Sequence, residues 1–108
     1  MRLRHSTPSR NLGSIGERGL LVSKSRGKLP AVWLHSPGRS AWAVLHVSRR
    51  HKVRVEETAT VEVEIPRSWL KKSGRPGLWY CPLDVLPDRF GRTITFDELS
   101  ASPVESHG

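Results

Sequence analysis

From Val53 to Ile65 the sequence VRVEETATVEVEI alternates apolar and polar side chains, and it stops abruptly at Pro66. The odd positions read Val, Val, Glu, Ala, Val, Val, Ile and the even ones Arg, Glu, Thr, Thr, Glu, Glu, so Glu57 is the one exception to a period of two. That period sends successive side chains to opposite faces, which predicts a β-strand with one apolar face and one wet, acidic face. The run is longer than most strands, so a bend or break is predicted around Glu57 to Thr60, as in small curved barrels. Pro66 cannot donate to a ladder and ends the strand, while its fixed φ suits the first turn of a helix. Arg67 to Lys72 (RSWLKK) then reads as a short helix, with Trp69 and Leu70 available to bury and Gly74 placed to end it.

Strand patterns recur on either side. Gly19 to Ser23 is a weak candidate, Gly77 to Leu83 (GLWYCPL) a better one, and Thr93 to Phe96 (TITF) the last. Ala31 to His35 and Ser40 to Val47 flank Ser36-Pro37-Gly38-Arg39, which reads as a hairpin around a type II turn. In that register Trp33 and Trp42 become cross-strand neighbours, with His35, Val44 and His46 on the same face. The fold class that follows is mostly β: a small barrel or strongly bent antiparallel sheet with one short helix.

Residues 1–18 are rich in Ser, Arg and Gly and poor in apolar side chains, so burial cannot offset their ordering entropy and a flexible basic arm is predicted. The same reasoning makes residues 100–108 a disordered tail and leaves 19–99 as one small β-rich domain. A chain of 108 residues has room for one core. Pro8 and the glycines oppose the amphipathic helix that a transit peptide would need. A single cysteine, Cys81, forms no internal disulfide. No stretch approaches the roughly 20 apolar residues of a membrane span. The expected location is the cytoplasm, with no membrane partner.

Charge narrows the function. Residues 1–52 carry eleven Lys and Arg against Glu17 alone, whereas residues 53–108 carry seven against nine acidic residues. A balance of +10 in one half and −2 in the other attracts polyanions by counterion release.

The run Val61 to Phe96 also carries Val63, Ile65, Pro66, Arg67, Leu70, Lys71, Lys72, Gly74, Pro76 and Gly77 in a strand, Ile-Pro, basic turn, glycine arrangement, before a Gly-Arg-Thr-Ile-Thr-Phe strand. It resembles the swapped-hairpin DNA-binding modules of AbrB- and MazE-type transition regulators and antitoxins. The resemblance spans about a third of the chain and implies an interleaved dimer that binds DNA.

The residues themselves also point to non-catalytic nucleic-acid binding. Arg2, Arg4, Arg10 and Arg18 on the arm, Arg49, Arg50 and Lys52 in a polar break, and Arg67, Lys71, Lys72 and Arg75 around the predicted helix are candidate phosphate contacts. Trp33 and Trp42 are candidate stacking platforms for unpaired bases; the competing reading makes them core anchors. Removing residues 1–18 is then expected to weaken polyanion binding without unfolding the domain.

A second reading is a protein-interaction adaptor or antitoxin-like regulator, with Glu56, Glu62 and Glu64 facing a basic partner or the long strand pairing with a second copy. A third is a small metal-dependent nuclease using His35, His46 and His51 with Asp84, Asp88 and Asp97, although none stands at a diagnostic ligand spacing. No cofactor is expected.

Overall fold

The computed structural model describes residues 1–25 and 29–101. Six strands form one antiparallel sheet: β1 (Arg2–Pro8), β2 (Val32–His35), β3 (Thr58–Glu64), β4 (Lys71–Lys72), β5 (Leu78–Cys81) and β6 (Phe90–Thr95). Their spatial order is β4-β5-β2-β1-β3-β6, so among the described residues β4 and β6 are the edges and the sheet does not close into the small barrel that the sequence offers as one alternative. Among the described residues three α-helices accompany them: α1 (Leu12–Arg18) and α2 (Ser40–His51) between strands, and α3 (Phe96–Ala101) after β6.

The largest correction concerns the N-terminus. Residues 2–8 are not an arm but a strand in the middle of the sheet, paired with β3 from Arg2↔Glu64 to Pro8↔Thr58. Ladder hydrogen bonds satisfy a backbone that composition had marked for solvent, and Leu3 is only 1% exposed. Arg4 is drawn inward as well: its Nη2 meets Glu62 at 3.3 Å and its Nη1 donates to Ser40 Oγ at 3.0 Å. Residues 12–18, also assigned to the arm, form α1, whose Leu12 and Ile15 pack on the core.

The alternating segment keeps its strand, shortened. Residues Val55–Glu57 turn as a 3-10 helix, where the Arg54 backbone N–H donates to the Glu57 carboxylate at 3.0 Å, and β3 starts at Thr58. The break thus falls just before the predicted bend. After Pro66 the expected helix is a single 3-10 turn, Arg67–Trp69, followed by the short edge strand β4. The Gly77–Leu83 prediction survives as β5, and Thr93–Phe96 as β6 with an earlier start. The weak strand at 19–23 reduces to one bridge, Leu20↔Val85.

The second correction is α2, which occupies the predicted second arm of the hairpin. Residues Pro37–Arg39 form a 3-10 turn with proline at its start and lead directly into the helix. Ala41, Ala43 and Leu45 favour a helix, and the buried set Ser40, Ala43, Val44, Val47 has its spacing of three and four. The apparent period of two came from apolar residues that a helix also accommodates. Helix α2 ends at Lys52, which takes a left-handed conformation (φ 55°).

Side chains paired across a strand share a face, so the register divides the sheet cleanly. Leu3, Val61, Val63, Val32, Leu34 and Cys81 meet Leu20, Ile65 and Val85 in the core on one side. On the other, α2 covers β1 and β3 over a polar layer that includes Ser6 and Thr60, whose hydroxyls lie 3.0 Å apart. Helix α3 runs to Ala101, which puts residues 100 and 101 of the expected disordered tail inside a helix; the remainder, 102–108, lies outside the described residues.

One glycine is decisive for the way α1 joins the core. Gly19 has φ 92° and ψ −171°, a region nearly closed to other residues, and a Cβ there would press on the Val85 carbonyl oxygen. Gly19→Ala is expected to cost about 3 kcal/mol in urea unfolding, through backbone strain and loss of the Leu20↔Val85 bridge. A loss below about 1 kcal/mol would show that this junction yields without consequence.

Candidate functional site

β1 and β2 are neighbours, yet their register includes only the pair Arg4↔His35. Beyond that point they part, and the gap is bridged by His5 Nδ1 and the Trp33 carbonyl oxygen at 2.8 Å. A cleft of about 860 Å³ opens there, within the range of small-molecule sites. One wall is α2, which contributes Trp42, Ala43, His46, Val47, Arg50 and His51. The facing side carries Ser6, Trp33, His35 and Leu78 from the sheet. Arg10, Asn11, Ser14, Lys24 and Ser25 also line it, as do Ser73 and Arg75 from the turn before β5.

The stripe along α2 follows from helix geometry, since residues three or four apart lie one above the other. The Arg39 guanidinium sits 5.2 Å from the Trp42 ring, and Trp42 stacks on His46 at 5.0 Å with 14° between planes. Arg50 continues the same face one turn later. Trp33 lies across the cleft, tilted against Tyr80 at 5.3 Å and 37% exposed. The predicted Trp33–Trp42 cross-strand pair is therefore absent, because Trp42 is on a helix; β2 instead sets Trp33 opposite Tyr80. Both tryptophans nonetheless line the same cleft.

Two of the cleft histidines, His5 and His35, are neutral. A carbonyl oxygen only accepts, so His5 donates from Nδ1 to Trp33, and in the neutral ring Nε2 keeps its lone pair. Loss of hydration holds the His5 pKa below its ordinary value, outweighing the opposite effect of the Trp33 carbonyl. His35 is 3% exposed and its pKa falls to about 3, first through burial and then through the charges of His5, Arg4 and Arg39. Its Nε2 is buried and has no hydrogen-bond partner among the described residues.

The charge around the cleft has one sign. Arg10, Lys24, Arg50 and Arg75 are exposed at its margin, and no Asp or Glu lines it among the described residues. The carboxylates lie elsewhere and several are engaged. Glu62 pairs with Arg4, Glu64 with the Met1 ammonium at 2.8 Å and with Arg2 at 3.8 Å, and Glu57 with Arg54. Glu62 and Glu64 are thus already neutralised within the chain, which weakens them as a surface for a basic partner.

The predicted contact residues therefore separate into groups. Arg10, Arg50, Arg75, Trp33 and Trp42 come together at the cleft. Arg49 and Lys52 are exposed at the end of α2 and Arg18 at the end of α1. Arg67, Lys71 and Lys72 follow the β4 edge, with Lys72 Nζ 5.9 Å from the Trp79 ring. Arg2 and Arg4 are held by glutamates.

Sequence reading missed His5 and Lys24 altogether and assigned His35 and His46 only to a metal-site alternative. Leu3, His5 and Thr7 alternate as a strand's do, and that signal was available under the polar composition. No group of three or more His, Cys, Asp or Glu that could hold a metal ion occurs among the described residues. No described helix is long and apolar enough to cross a membrane. The chain matches no protein-family model, and no curated protein matches it.

Proposed function

We propose that the protein binds single-stranded nucleic acid in a non-catalytic role, seating a nucleotide unit in the cleft between β1, β2 and α2. The observation that carries this reading is a nucleotide-sized cleft lined by tryptophans and rimmed by Arg10, Lys24, Arg50 and Arg75, with no carboxylate in its lining among the described residues. Cations at the margin neutralise phosphate, and an aromatic face gains from stacking on a base. Neutral His5 and His35 offer hydrogen bonds to base or sugar without adding charge. Arg49 and Lys52, beyond the cleft, extend the positive field along a continuing strand. Bases paired and stacked within a duplex present no free face to Trp33 or Trp42, so stacking in the cleft requires an unpaired segment.

Fluorescence anisotropy with short single-stranded DNA and RNA, duplex DNA and free nucleotides at several salt concentrations tests the reading. Single strands should bind more tightly than duplex. Trp42→Ala is expected to weaken single-strand binding by about tenfold, the loss of one stacked base. Arg50→Ala should lower both the affinity and the slope of log K against log salt, by about 0.7 per lost phosphate contact. If both variants bind as the parent does, the cleft is not the site.

A further inference from the structure

We infer that a single strand seated in the cleft leaves it across the open face of β2, β5 and β4, with a base on Tyr80 and a phosphate at Lys71. The inference rests on the nucleic-acid reading above and adds the path of the strand and two contact residues. Residues paired across strands share a face, and the register sets Trp33 opposite Tyr80 and Tyr80 opposite Lys71. These three side chains therefore form one row across the sheet. Trp33 shares its face with His35, two residues on, and through the pair Arg4↔His35 with Arg4, whose guanidinium reaches Ser40 at the start of α2. The row thus lies on the side of the sheet that carries α2. That helix packs on β1 and β3 and leaves the rest of the face open. Trp33 is 37% exposed, Tyr80 is half-buried, and Lys71 is exposed with no ion pair among the described residues.

Charge and spacing fit a continuing strand. Trp33 lines the cleft, so the row starts from a residue the seated nucleotide already meets. Neighbouring strands lie about 4.8 Å apart, which puts Lys71 about 10 Å from Trp33, the length of two to three stacked nucleotides at about 3.4 Å each. On this part of the face β2, β5 and β4 present Trp33, His35, Leu78, Tyr80 and Lys71, none of them acidic. An aromatic ring followed by a cation suits a base followed by its phosphate. Lys72 points to the opposite face, where it lies over Trp79, which pairs with the core residue Leu34. Lys71 belongs to the row and Lys72 does not.

The experiment measures competition by thymidine monophosphate and by thymidine oligomers of two to six nucleotides against a labelled single strand. Affinity should rise about tenfold or more from the mononucleotide to the tetramer and then level off. Tyr80→Leu, which keeps an apolar side chain without a ring, should weaken the tetramer by about tenfold and leave the mononucleotide unchanged. Lys71→Ala should lower the slope of log K against log salt for the tetramer by about 0.7, whereas Lys72→Ala should not change it. A Tyr80→Leu protein that binds the tetramer as the parent does overturns the path, and so do equal changes of slope for the two lysine variants. If Trp42→Ala and Arg50→Ala weaken binding while Tyr80→Leu and Lys71→Ala do not, only the path fails; if none of the four does, the cleft reading fails with it.

Discussion

Deletion of residues 1–8 is expected to leave a chain that does not fold. β1 lies between β2 and β3, and its loss would remove the ladder from Arg2↔Glu64 to Pro8↔Thr58 and expose new edges on both sides. It would also strip Leu3 from a core whose other members, Leu34, Val61 and Val63, are each about as buried. In a chain this short, where net stability is a few kcal/mol, no remaining element offsets that loss. Far-UV circular dichroism and urea titration should show no cooperative transition for the truncated protein. Leu3→Ala is the graded form of the same test, with an expected loss of about 3 kcal/mol. A truncated protein that still unfolds cooperatively would mean that β1 is dispensable and that residues 1–18 behave as the flexible arm their composition suggests.

Acid is the second strong perturbation. His35 stays neutral in the folded protein down to pH about 3, while in the unfolded chain it takes up a proton near its ordinary pKa of 6.5. Between those values the unfolded state binds more protons, so stability is complete above pH 6.5 and falls as the pH drops. The slope is about 1.4 kcal/mol per pH unit for one such histidine, or about 2 kcal/mol between pH 7.5 and pH 5. His5 is shifted in the same direction and adds to the fall. Glu57, Glu64 and Glu98 also have lowered pKa values, from hydrogen bonds with the Arg54 backbone, the Met1 ammonium and the Thr95 backbone respectively, but their effect falls below pH 4.5. Urea unfolding at pH 7.5, 6 and 5 therefore isolates the histidines. His35→Gln should flatten the dependence; an unchanged slope would show that His35 is not the group that titrates.

The two elements the sequence misassigned fail for different reasons. β1 was hidden by composition: RLRHSTP has one large aliphatic residue, and its polar side chains are accommodated only because Glu62, Ser40 and Thr60 wait opposite them on β3 and α2. α2 was hidden by ambiguity, since apolar residues at 41, 43, 45 and 47 satisfy a period of two while 40, 43, 44 and 47 satisfy a helical one. Burial against β1 and β3 selects the second pattern, and that choice depends on strands distant in the chain. Charge alone marks Arg50 as a candidate phosphate contact, and it lines the cleft because the helix carries it one turn beyond His46.

Local chemistry determined much of this protein without help from the fold. The β3 alternation, the stop at Pro66, the β5 and β6 strands, the single cysteine and the concentration of positive charge in the first half are all written in neighbouring residues, because backbone geometry and charge act over short distances. The cleft is different. It exists because β1 and β2 meet at one pair and then diverge, and because α2 and α1 lie along the gap, bringing His5, Trp33, Trp42, Arg50 and Arg75 together from points up to seventy positions apart. Such a juxtaposition is set by strand register and by which faces are buried against one another, and only the tertiary structure decides those.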